Sequence, residues 1–211
     1  MIRVGITGGM ASGKSEVCEK LRSLGVSILS ADLIAHQLTD TDPKMRRAIT
    51  LLFGPLAYDT PTGTLNRSYV GRVAFADKRK LSSLNKIVHP QVLQAIDTEV
   101  ARLEEKKIAG YAAIEAALLF ESGLNRQVDY VLTVVAQTDL QIERGMNRDK
   151  LTEAEVRARL SQQLPAEATM NESDFVLYNN STLDALYQKT IFFHRLFTGL
   201  KPRLARKHDN L

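Results

Sequence analysis

Cysteine is all but absent from this chain: Cys18 is the only one in 211 residues. A lone thiol excludes an internal disulfide, so nothing in the sequence calls for an oxidising compartment. Its place in a run with helical periodicity suits a buried structural thiol rather than a reactive one. Long apolar runs are missing too, and none approaches the roughly 20 residues that span a bilayer. The first residues form no charged-then-apolar leader, which makes the cytoplasm the expected compartment. His36, His89, His194 and His208 have no metal-ligand spacing among themselves or with Cys18, so no zinc site is expected. Repeats, low-complexity tracts and clear linkers are lacking. So are an N-K-x-D base-recognition sequence and a D-x-x-G segment near the third apolar run, the marks of a switch-type GTPase.

The remaining composition is ordinary for a globular protein, with 44% hydrophobic and 25% charged residues. This length fits one α/β domain with a small helical insertion, and it can bury a core without staples. Net charge is +4. Part of the excess lies in the tail, at Lys201, Arg203, Arg206 and Lys207. Such a tail could be a nucleic-acid or membrane-surface arm, or a frayed and solvated terminus, and the second reading is favoured. Enzymes that handle polyphosphates also need cations around the site, which explains a basic excess more directly.

What the chain does have is Gly8-Gly9-Met10-Ala11-Ser12-Gly13-Lys14-Ser15, the phosphate-loop pattern G-x-x-x-x-G-K-[ST]. The glycines permit backbone conformations closed to other residues and let successive N–H groups close around phosphate oxygens. The helix that follows points its positive end at the same anion. Lys14 can reach the β/γ-phosphates, and the Ser15 hydroxyl can ligate Mg²⁺. Residues 2–7 before the loop alternate in polarity as a buried strand does, while Val17, Leu21 and Leu24 after it recur at helical spacing until Gly25. Strand, loop and helix in this order predict a nucleoside-triphosphate site.

Further strands are expected at 26–29, 111–119, 128–135 and 174–178. Residues 43–107 read as helical, broken at 54–63 and again by His89-Pro90. Helices are also expected from 138, from a capping box at Thr152 and Glu155, and over 183–200. Five strands separated by helices imply a parallel sheet covered on both faces, with ligands beyond the carboxyl ends of the strands.

Asp32 stands where the second strand gives way to a helix. With strand two expected beside strand one, its carboxylate would lie near the γ-phosphate and could accept the proton of an attacking hydroxyl. It could equally cap that helix. Arg144 and Arg148, four apart on one helix face, could cover a triphosphate. They could as well form a solvated face with Glu143 and Asp149, which spacing alone slightly favours. His89 reads first as structural. Glu121, past the third strand, is as readily a loop carboxylate as a ligand to a magnesium-bound water or a substrate hydroxyl. The helical pair over 138–165 has the size of a lid.

Taken together, "GITGGMASGKSEV", "ADLIAHQL", "GTLNRSYVGRVAF", "LNKIVHPQV", "ALLFESGL", "DYVLTVVA", "QIERGMNRD", "QQLP" and "DFVLYNN" resemble the dephospho-CoA kinase family, in order and over about residues 1–195. The resemblance implies a P-loop kinase fold: a five-stranded parallel sheet flanked by helices, with a helical substrate-binding insertion (about 41–107) and a lid (about 138–165) on a core of about 1–40, 108–137 and 166–211. It implies ATP as phosphoryl donor with Mg²⁺, and transfer to the ribose 3′-hydroxyl of dephospho-CoA. Asp32 becomes the base and residues 8–15 the ATP loop, with Ser15 on the metal. Arg144 and Arg148 fall at the lid, His89, Pro90 and Glu121 near the acceptor, and Asn179 near the adenine. No nucleic-acid or membrane partner is implied, and the molecule would be a monomer or weak homo-oligomer. The chain departs from the family pattern at Ser30 (usually Asp), His36 (usually Arg), Ala117 (usually Pro) and Thr169-Met170 (usually basic). Without the resemblance, the residues leave open another P-loop small-molecule kinase or a regulatory nucleotide-binding module.

Overall fold

The computed structural model describes residues 1–106, 110–161 and 163–203. Its elements are β1 (Ile2–Thr7), α1 (Lys14–Ser23), β2 (Ser27–Ser30), α2 (Ala31–Thr41), α3 (Pro43–Phe53), α4 (Arg67–Ala76), α5 (Lys78–Glu105), β3 (Tyr111–Glu115), β4 (Tyr130–Val135), α6 (Thr138–Asp149), α7 (Glu153–Leu160), α8 (Ala166–Asn171), β5 (Phe175–Tyr178) and α9 (Leu183–Gly199). The five strands form one sheet in the order β2-β3-β1-β4-β5. Every pairing is parallel, as helical crossovers between successive strands require.

That order corrects one expectation. β2 does not lie beside β1, because β3 is inserted between them and pairs with both. The neighbour of the phosphate loop on that side is therefore the end of β3. Strand three is also shorter than its apolar run suggests: it stops at Glu115, and 116–119 leave the sheet. β1 ends at Thr7, and the Ala116 N–H donates to the Ile6 carbonyl where the chain leaves the sheet. Ala116 and Leu119 are apolar because they are buried in packing, not because they are strand.

Two compact units divide the chain, Met1–Ser30 with Leu103–Leu211, and Ala31–Arg102. In the first, Val4 and Ile6 of β1 pack with Val17 and Leu21 of α1 and with Leu186 and Phe197 of α9. Tyr111, Phe175, Phe193 and Phe197 interlock at edge-to-face or stacked angles in the same core. Cys18 is buried there, and desolvation pushes its thiol up to about 12, so it is inert. In the second unit, Met45, Ile49 and Phe53 of α3 meet Val70 and Ala74 of α4, with Leu81, Leu84, Ile87 and Val88 of α5 against them.

His89-Pro90 does not break the helical run. α5 continues from Lys78 to Glu105 with Pro90 inside it. Proline removes one intrahelical bond and crowds the preceding turn. Leu84, Ile87 and Val88 before it, and the buried Val92, Ile96 and Val100 after it, keep both halves packed and hold the helix through. α8 has no counterpart in the sequence reading: its six residues bury none of their side chains, so no periodicity marks it.

Residues 201–203 are anchored rather than frayed, and 204–208 of the basic tail lie outside the described residues. Arg203 donates its backbone N–H to Asp129 at 2.9 Å and its guanidinium to Asp174 at 2.5 Å. The same guanidinium lies 4.4 Å over the Tyr130 ring, whose hydroxyl donates to the Lys201 carbonyl. Asp129 and Asp174 in turn accept from Arg3 N–H and Val131 N–H, so the strap fastens the entry to β4 and β5. Arg203→Ala is expected to remove about 1 kcal/mol, these contacts being partly solvated, and to lower Tm by about 3 °C. Thermal melting checks it, and an unchanged Tm would assign the strap no stability.

Candidate functional site

The loop between β1 and α1 is turned by its own backbone and seated from outside. Ser12 N–H donates to the Gly9 carbonyl at 3.1 Å, with Ala11 at φ 56° inside the turn. Gly13 takes φ 97°, and a Cβ there would meet Asn179 Nδ2 at 2.2 Å. Only glycine allows that approach. Asn179, one residue past β5 and 7% exposed, uses this amide to donate to the Ser12 carbonyl at 2.8 Å. Its own carbonyl accepts both Nη1 and Nη2 of Arg144, each at 3.2 Å. Asn179 is thus buried as a support between loop and α6, not on the wall of the cavity described next. Ser12 is fully buried, and its hydroxyl has no hydrogen-bond partner among the described residues. An unanswered donor within a glycine-rich loop suits an anionic ligand.

Lys14 opens α1, and its Nζ lies 3.2 Å from Glu115 Oε1, with side-chain exposures of 13% and 17%. Glu115 ends β3, which the inserted strand brings next to the loop. A cavity of about 910 Å³ lies over the loop, lined by all of 8–16 together with Ala117, Arg144, Asn147, Arg148, Arg159 and Gln163. Lys14 and three arginines face it against the single carboxylate of Glu16, so the space is electropositive. Arg148 pairs at 2.8 Å with Asp149, the partner expected of a solvated face. Arg144 does not pair with Glu143; its bonds to Asn179 aim it across the loop.

Glu121 lines a second, smaller cavity of about 180 Å³, with Thr7, Thr133, Gln141 and Thr169. It is exposed, and its carboxylate accepts the Leu164 N–H at 3.4 Å. The other expected residues belong to the second unit. Asp32 lies in the first turn of α2, two residues past β2, with its side chain exposed. His89 is half-buried on α5, and desolvation lowers its pKa, keeping the imidazole neutral at pH 7; Pro90 beside it is exposed.

Sequence reasoning missed four residues of this site: Glu115, Gln141, Arg159 and Gln163. Glu115 left a trace, as the one charge inside an apolar run. Gln141 is a turn away from Arg144 on the same helical face, a weaker signal. Gln163 lay within the family-like QQLP segment without a site role to mark it, and Arg159 left no trace, since only the packing of α6 against α7 brings them to the loop.

A wholly parallel five-stranded sheet, a phosphate loop leading from β1 into α1, and a cationic cavity over that loop define a P-loop kinase. The family model for dephospho-CoA kinase matches residues 2–185. Curated dephospho-CoA kinases of Chlorobium chlorochromatii and Chlorobaculum tepidum are 39% and 37% identical to the chain, covering 89% and 87% of it and 89% and 88% of their own lengths. The Thermus thermophilus protein TT1252 superposes with a TM-score of 0.81 at 32% identity, over 94% of this chain and 98% of its own. The dephospho-CoA kinase of Campylobacter jejuni gives 0.69 at 26%, over 93% and 96%. An Acinetobacter baumannii shikimate kinase gives 0.53 at 17% over 95% and 96%, which bears on the fold alone. The chain belongs to the dephospho-CoA kinase family. It is an enzyme, a phosphotransferase that uses ATP on a small-molecule substrate. Among the described residues, no helix is long and apolar enough to cross a membrane.

Proposed function

We propose that the chain transfers the γ-phosphoryl group of ATP to the ribose 3′-hydroxyl of dephospho-CoA, giving coenzyme A and ADP. The observation that carries this reading is the cationic cavity over the phosphate loop, in a chain whose family is named for that substrate. Loop residues 8–15 hold the triphosphate, with Lys14 at the β/γ-phosphates. Arg144, with Arg148 and Arg159 nearer solvent, offsets the charge that builds on the equatorial oxygens of the transferring group. The 3′-oxygen forms the new bond to γ-phosphorus as the bond to the β,γ-bridging oxygen breaks, and Asp32 accepts the hydroxyl proton.

Mg²⁺ fits the donor set present. Among the described residues no three His, Cys, Asp or Glu are grouped to hold an ion unaided. Magnesium relies instead on one or two protein oxygens plus phosphates, and Ser15 Oγ offers one. When bound, the ion neutralises phosphate charge. On the acceptor side we assign His89, Pro90 and Glu121, with 41–107 as the substrate-binding insertion and 138–165 as the lid. The protein would act in the cytoplasm as a monomer or weak homo-oligomer, without nucleic acid; its single, buried thiol suits a reducing compartment.

A coupled ADP assay with Mg²⁺ and ATP tests the reading against a panel of acceptors. ADP release is expected with dephospho-CoA, and at least a hundredfold less with adenosine, nucleoside monophosphates or no acceptor, given what unpaired recognition groups cost. Comparable release with another acceptor would sink the assignment.

A further inference from the structure

Both peptide groups flanking Met10, at the tip of the phosphate loop, are taken by side-chain amides. Gln141 Nε2 donates to the Met10 carbonyl at 2.9 Å. The Met10 N–H donates to Gln163 Oε1 at 2.8 Å. Gln141 sits on α6, and Gln163 follows α7, so the two contacts tie the whole α6–α7 segment to the loop. The backbone is shaped to admit them: a Cβ at Gly9 would lie 2.9 Å from Gln141 Nε2. Gln163 also stands in the wall shared by the large and small cavities.

The turn these amides grip is poorly able to hold itself. It has one closing backbone bond, Ser12 N–H to Gly9 carbonyl, and it forces Ala11 into a left-handed conformation that alanine disfavours. A short glycine-rich segment of this kind needs partners from elsewhere to stay in one shape. We infer that Gln141 and Gln163 are positioning residues for ATP, a two-amide clasp that holds the loop tip in the conformation that receives the polyphosphate. Neither side chain touches the reacting atoms. The inference rests on the ATP-binding role of the loop and not on the identity of the acceptor.

Partner chemistry sets the test, because the Met10 carbonyl can only accept and its N–H can only donate. Titration calorimetry with ATP alone, without acceptor, is run on the wild-type chain and on four variants. Gln141→Ala and Gln163→Ala should each weaken ATP binding about fivefold, the worth of one net hydrogen bond. Gln141→Glu keeps the shape but loses the donor, whereas Gln163→Glu still accepts. Gln163 lines the large cavity and Gln141 does not, so an added charge disfavours ATP more at 163. Gln163→Glu should still bind ATP more tightly than Gln141→Glu, which reads the hydrogen bond against that bias. In turnover, KM for ATP should rise in the alanine variants with KM for the acceptor unmoved. Unchanged or tighter ATP binding by the alanine variants overturns the clasp while leaving the kinase reading intact. A wild-type chain that binds no ATP overturns both.

Discussion

Lys14→Met is expected to abolish useful turnover, lowering kcat/KM about ten-thousandfold, and to weaken ATP binding about a hundredfold. Two separate losses add here. The first is the cation itself: a charge-assisted hydrogen bond to phosphate is worth about 1.5–3 kcal/mol in binding, and a donor aimed at developing charge another factor of about 10²–10³ in rate. The second comes from Glu115. Its carboxylate lies 3.2 Å from Lys14 Nζ and is only 17% exposed, so removing the lysine leaves a poorly solvated negative charge beside the phosphates. That predicts an asymmetric cycle. Lys14→Met combined with Glu115→Gln should bind ATP better than Lys14→Met alone, since the repulsion goes with the charge. Additive losses would show that Glu115 does not face the nucleotide, and retained ATP affinity in Lys14→Met would remove the lysine from the donor site altogether.

What the sequence showed of this site divides along one physical line. The loop was legible because the geometry of a phosphate dictates eight consecutive residues, so the whole device is local in the chain. β1 and the start of α1 followed from it by simple alternation and helical spacing. Glu115 was not legible as a partner of Lys14, because their meeting depends on β3 entering the sheet between β2 and β1, and strand order is a property of crossovers rather than of any segment. The same holds for Arg159 and Gln163, which reach the loop through packing of α6 and α7. Pro90 misled in the opposite direction: its local preference to end a helix is outweighed by burial on both sides. Residues 116–119 misled because an apolar run marks burial, and burial alone does not say strand.

Asp32→Asn is expected to lower kcat by about a hundredfold to a thousandfold with ATP affinity unchanged, the lower part of the range for general bases. The lower part applies because phosphoryl transfer passes through a loose transition state, in which the attacking hydroxyl loses its proton late. Asparagine preserves size and can still orient a hydroxyl, but it cannot take the proton, so the substitution isolates that function. The competing role for Asp32 is local. It lies in the first turn of α2, where a carboxylate complements the helix dipole. If that were all it did, Asp32→Asn would cost about 0.3–1 kcal/mol of stability and leave turnover alone. The two roles therefore move different readouts, kcat in one case and Tm in the other. A variant with full kcat and a lowered Tm would return Asp32 to a helix-terminal role and leave the proton acceptor to be sought elsewhere.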